Sequence, residues 1–103
     1  MSDFGLDKED LEIIRSVFLK FNQIRKVLIY GSRAKGNHRP SSDIDLTLLG
    51  ENITLGLQLE IESELNELLL PYRFDVSLYD KISNPDFKDH IDRVGKEFYI
   101  KPS

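Results

Sequence analysis

Cysteine is absent from this chain of 103 residues. That excludes a disulfide framework and thiolate metal sites, though it identifies no compartment. Long apolar runs are missing too, none nearing the roughly 20 residues that span a bilayer, so no membrane association is expected. The opening Met1-Ser2-Asp3-Phe4-Gly5 lacks a basic stretch followed by an apolar one. No secretory signal is read there, and a cytoplasmic location follows by default. The two histidines, His38 and His90, are far apart without ligand spacing, which argues against zinc. Repeats, linkers and low-complexity segments are also absent. A positive balance is lacking: the net charge is −4, which argues against non-specific nucleic-acid binding. What is present, 40% hydrophobic and 31% charged residues, is the composition of a soluble globular domain. At this length it is expected to be one domain, residues 1–103.

Hydrophobic periodicity orders the chain. Asp7 to about Asn22 reads as a helix with Leu11, Ile14, Phe18 and Phe21 on one face and Asp7 as N-cap. Lys26 to Tyr30 is a compact strand, expected to be central. Gly31 to Ser42 is a loop whose first residues can start a short helix, and Asp43 to Leu49 is a second strand closed by Gly50. Residues 53–61 alternate as a strand would. However, Leu57, Ile61, Leu65 and Leu68 keep helical spacing over a run too long for a strand. The spacing predicts a helix from about Thr54 to Leu70, stopped by Pro71. Arg73 to Tyr79 is a third strand, with Phe74, Val76 and Leu78 on one face and Asp75 on the other. Asn84-Pro85 introduces a short amphipathic helix, about Asp86 to Val94, and Phe98-Tyr99-Ile100 a terminal strand. Asp80, Asp86, Asp89 and Asp92 read as a solvated surface around that last helix.

The chemistry concentrates in Gly31-Ser32-Arg33-Ala34-Lys35-Gly36 and in Ser42-Asp43-Ile44-Asp45-Leu46. A phosphate needs close backbone approach and hydrogen-bond donors, which Gly31 and Ser32 supply. Magnesium needs hard oxygen ligands, which Asp43 and Asp45 supply. Two apart on a strand, these carboxylates leave the same face. If the third strand is a neighbour, at a spacing of about 4.8 Å, Asp75 joins them. Three clustered carboxylates repel one another unless a cation neutralises them, so the group is either a destabilising arrangement or a metal site, where two magnesium ions about 3.5–4 Å apart would be held. The alternative for Asp75 is a solvent-facing place on an edge strand. Arg33 and Lys35 are either triphosphate contacts beside Ser32 or plain loop charges, and Arg39 is a lesser candidate. Tyr30 and Tyr99 read as packing residues.

Gly31-Ser32, ten residues, Asp43-Ile44-Asp45 and then Asp75 resemble the DNA polymerase β-type nucleotidyltransferase superfamily. The run Tyr30 to Gly36 and the short chain are most similar to its minimal nucleotidyltransferase (MNT) group, over roughly Val27 to Tyr79. The resemblance implies an α/β fold, a mixed sheet flanked by helices. It implies that Ser32 binds phosphate, that Asp43 and Asp45 bind magnesium, and that Asp75 binds metal and helps activate the acceptor. It further implies ATP as substrate and, as partner, a HEPN-domain ribonuclease toxin in a hetero-oligomer, with AMP passing to a toxin tyrosine. Two other functions compete: an antitoxin acting by contact alone, and transfer to a small molecule or an RNA end. The last is disfavoured, because the chain holds no acceptor-binding domain and no basic RNA track.

Overall fold

The computed structural model describes residues 4–37, 39 and 42–102; His38, Pro40 and Ser41 of the loop lie outside the described residues. In chain order the elements are α1 (Lys8–Leu19), β1 (Ile24–Tyr30), α2 (Ser32–Lys35), β2 (Ile44–Gly50), α3 (Leu55–Glu67), β3 (Phe74–Leu78), a 3-10 turn (Tyr79–Lys81), α4 (Pro85–Val94) and β4 (Lys96–Ile100).

The four strands form one sheet in the order β3-β2-β1-β4. The pairs β1–β2 and β1–β4 are antiparallel, and β2–β3 is parallel. A parallel pair needs a long crossover, and α3 supplies it. The sheet is thus mixed, with β1 and β2 in the centre as the apolar pattern of Val27 to Tyr30 predicts. Alternation sends Val27, Ile29, Ile44, Leu46, Leu48, Val76 and Leu78 into a hydrophobic cluster with Leu11, Ile14, Val17 and Phe18 of α1 and Ile61 and Leu65 of α3. Residues between them, Asp45 and Asp75 among these, stand on the opposite face.

Several boundaries differ from the sequence reading. Asp7 takes the N-cap position of α1, but its side chain makes no capping bond. The helix ends at Leu19, before Asn22, and Phe21 stays buried in the turn that follows. In α3 the cap is Thr54, whose hydroxyl accepts from the Leu57 N–H at 3.1 Å. That helix stops at Glu67 rather than at Pro71. The Leu68 and Leu69 N–H groups bond to the carbonyls of Leu65 and Asn66, and Leu69 takes φ 56°. This bend leaves Leu69 88% exposed and lets Leu68, Leu70 and Tyr72 all pack on the core. Asn84 caps α4 by accepting from the N–H groups of Asp86 (2.9 Å) and Phe87 (3.3 Å), with Pro85 in the first turn.

Edge strand β4 carries an irregularity: Val27 pairs with Tyr99 and Leu28 with Glu97, leaving Phe98 as an extra residue. Arg15 of α1 donates from Nε to the Phe98 carbonyl at 2.7 Å and stacks over the Phe98 ring. The bulge and its arginine blunt an edge that would otherwise invite further strands.

Candidate active site

The end of β1, the start of β2 and the start of β3 meet at one margin of the sheet. Tyr30 is level with Asp45 in the β1–β2 register, and Asp45 is level with Asp75 in the β2–β3 register. One row across three strands therefore carries two of the three expected carboxylates. Asp43 stands one residue ahead of β2 rather than within it, and is exposed. Asp45 is half-buried and Asp75 is exposed on the outer strand. Asp75 is thus exposed on an edge strand and, in register, level with Asp45.

Gly31 follows Tyr30 with φ 76°, a left-handed value that side chains with a Cβ rarely adopt. A Cβ added there would collide with Oδ2 of Asp45. Glycine thus meets two demands at once, the backbone turn and room for the carboxylate. Ser32, half-buried, then opens the single turn of α2, and Lys35 closes it exposed to solvent. The first N–H groups of a helical turn have no acceptor within it, so this margin offers backbone donors beside a hydroxyl.

The electrostatics agree with the crowding. The Asp45 carboxyl is pushed up to about 6, first by burial and then by the charges of Asp75 and Asp43; the Arg33 cation pulls the other way. Tyr30 is raised by burial and by Asp75 and Asp45, while a hydrogen bond with Ser77 works against the rise. Its ring lies against Phe87 and His90 of α4, at 5.5 and 6.3 Å. It is a packing residue, as its apolar run suggests, but one that stands beside Asp45 in the same row.

Arg33 departs from both of its sequence readings. It is 2% exposed, neither a solvated loop charge nor a side chain reaching outwards to a triphosphate. Nε and Nη2 donate to the Ser42 carbonyl at 3.1 and 2.9 Å, and Nη1 donates to the Phe4 carbonyl at 2.9 Å. The guanidinium also stacks over the Tyr72 ring at 5.1 Å. Burial lowers its pKa, while Tyr72, Asp43 and Asp45 raise it. The sequence reading missed Tyr72 altogether, and for Ser42, though it stands in the motif, it gave no role to the carbonyl. The only signal for them was a basic residue, Arg33, inside the first half of the motif.

Among the described residues no three His, Cys, Asp or Glu side chains are gathered tightly enough to hold a metal on their own. The donor set nevertheless fits magnesium. It is all carboxylate oxygen, its members repel one another, and magnesium commonly takes one or two carboxylates and completes its shell with water and substrate phosphates.

Residues 12–103 match the family described as Polymerase beta, Nucleotidyltransferase. The chain belongs to that family. Among solved structures it is similar to a chain of a toxin–antitoxin complex with AMP-PNP, at 16% identity and TM-score 0.73, covering 89% of this chain and 74% of that one. It is also similar to a chain of the MntA–HepT toxin–antitoxin complex: 13% identity, TM-score 0.68, covering 92% and 74%. A third is a complex of tri-AMPylated HEPN toxin with MNT antitoxin from Shewanella oneidensis: 13% identity, TM-score 0.61, covering 88% and 73%. At such identities the likeness establishes the shared fold. No curated protein sequence matches the chain.

Proposed function

We propose that this chain is a metal-dependent nucleotidyltransferase of the MNT type, passing AMP from ATP to a tyrosine hydroxyl of a HEPN-domain toxin and acting as its antitoxin. The observation that carries the reading is the row Asp45–Asp75 with Gly31 folded against Asp45, in a chain of the polymerase β nucleotidyltransferase family. Support for the adenylyl group and for the acceptor comes from the neighbours, one solved with AMP-PNP and another with a tri-AMPylated HEPN toxin.

In this reading Gly31 and Ser32 hold triphosphate oxygens, with Lys35 able to reach them from the exposed end of α2. Asp43 and Asp45 would hold magnesium, with Asp75 as a further carboxylate ligand. The ions would lower the pKa of the attacking hydroxyl and offset charge on the α-phosphate oxygens. Asp75, exposed at the margin, would help activate the acceptor by taking its proton. The tyrosine oxygen bonds to the α-phosphorus, the bond to the pyrophosphate oxygen breaks, and pyrophosphate leaves with its electrons. The margin is open to solvent at Asp43 and Asp75, which suits an acceptor delivered on another protein.

Mass spectrometry of the co-purified HEPN partner after incubation with ATP and Mg²⁺ tests the reading. A gain of adenylyl mass on a tyrosine, absent with Asp43→Ala/Asp45→Ala, is expected. A stable complex with no added mass would overturn transfer to the partner and favour an antitoxin acting by contact.

A further inference from the structure

Asp43 lies outside the sheet, so strand hydrogen bonding does not fix it. Its two neighbours are pinned instead. On one side is Ser42. Its carbonyl accepts both Nε and Nη2 of Arg33, its N–H donates to the Arg39 carbonyl at 2.9 Å, and its Oγ accepts the Arg39 N–H at 2.8 Å. On the other side is Ile44, whose N–H donates to the Arg73 carbonyl at 2.8 Å. Arg73 follows Tyr72, the residue whose ring underlies the same Arg33 guanidinium. Tyr72 in turn donates its hydroxyl to Asp10 of α1 at 3.0 Å. One buried cation thus joins the turn after β1, the residue before Asp43 and the lead-in to β3 at Tyr72, three residues short of Asp75.

We infer that Arg33 is a positioning residue for the carboxylate group: by clamping the Ser42 carbonyl against the Tyr72 lead-in, it sets where Asp43 stands relative to Asp45 and Asp75. This rests on the reading of those aspartates as metal ligands. The planar fork is what the position uses. Two nitrogens straddle one carbonyl while the third turns away to Phe4, a geometry that a lysine point charge cannot reproduce. Isolated stabilisation of the loop would need only the Ser42 contact. The added tie to Tyr72 couples the loop to the strand that carries Asp75.

The test compares binding of Mn²⁺ alone, followed by electron paramagnetic resonance, in the full chain and in four variants, with thermal melting of each alongside. Asp43→Ala reports on the site itself. Arg33→Lys keeps the charge and loses the fork. Tyr72→Leu keeps Arg33 but removes the ring beneath it. Arg25→Ala removes an exposed cation that pairs with Glu51, far from the site in the sheet register. Arg33→Lys is expected to melt cooperatively yet bind Mn²⁺ at least tenfold more weakly, and Tyr72→Leu to shift affinity the same way. Arg25→Ala should match the wild type. If Arg33→Lys does not fold, Tyr72→Leu alone decides. Wild-type affinity in folded Arg33→Lys, or in Tyr72→Leu, with Asp43→Ala weakened, would show a merely structural role and overturn the inference. Wild-type binding that Asp43→Ala does not weaken would overturn the metal-ligand reading beneath it.

Discussion

Gly31 is where the smallest change should do the most. Alanine there must hold a φ of 76°, at a cost of roughly 1–2 kcal/mol, and must also displace the Asp45 carboxylate. Gly31→Ala is expected to lower transfer at least a hundredfold while the protein still melts cooperatively, checked by label transfer and calorimetry together. Asp45 makes a second prediction, about pH. Its carboxyl titrates near 6 in the folded chain and near about 3.9 in an unfolded one, so between those values only the folded state keeps the proton. Its contribution to stability is complete below about pH 4 and is lost as pH rises through 6. Without metal, the melting temperature should therefore rise on going from pH 7 to pH 5, and Asp45→Asn should flatten that rise and stabilise the protein at pH 7. A wild-type profile that Asp45→Asn leaves unchanged would contradict the crowding argument. The aspartates were legible in sequence because residue type and spacing announce them. Arg33 was not. Its burial depends on Phe4 and Tyr72, 29 and 39 positions away in the chain, and no local pattern records such a meeting.

Among the elements, α3 shows most directly how far pattern carries. Its helical spacing outweighed the alternation of residues 53–61, and Thr54 caps it as a helix start should. Its end was misplaced because Pro71 looks like the stronger stop. The chain bends earlier, at Leu69, because Leu68, Leu70 and Tyr72 all reach the core that way. Leucine at a φ of 56° with an exposed side chain is a local cost accepted for that packing. Leu69→Gly should relieve roughly 1–2 kcal/mol of strain against roughly 0.5–1 kcal/mol of added chain freedom. The expected net gain is about 0.5–1 kcal/mol, read by urea denaturation. A loss of stability would mean that the leucine side chain packs usefully where it stands. The placement of Asp75 was only partly legible through the same element: a helical crossover permits parallel neighbours, and the observed pairing of β2 with β3 is what brings Asp75 level with Asp45.

For the whole molecule, the fold concentrates its chemistry at one margin and leaves the rest to packing. A cavity of about 180 Å³ at the other end of β2 and β3, lined by Leu48, Gly50, Asn52, Ile53, Leu78, Asp80 and Lys81, includes none of Asp43, Asp45 and Asp75. No helix among the described residues is long and apolar enough to cross a membrane. The central claim is that the aspartate row moves a nucleotidyl group, not a phosphoryl group. The direct measurement incubates the chain and the proposed HEPN-domain partner with Mg²⁺ and ATP labelled with ³²P at the α-phosphate in one sample and at the γ-phosphate in another. Label on protein from α-labelled ATP only, lost with Asp43→Ala/Asp45→Ala, is the predicted result. Label from γ-labelled ATP, or α-label that survives loss of both aspartates, would contradict it.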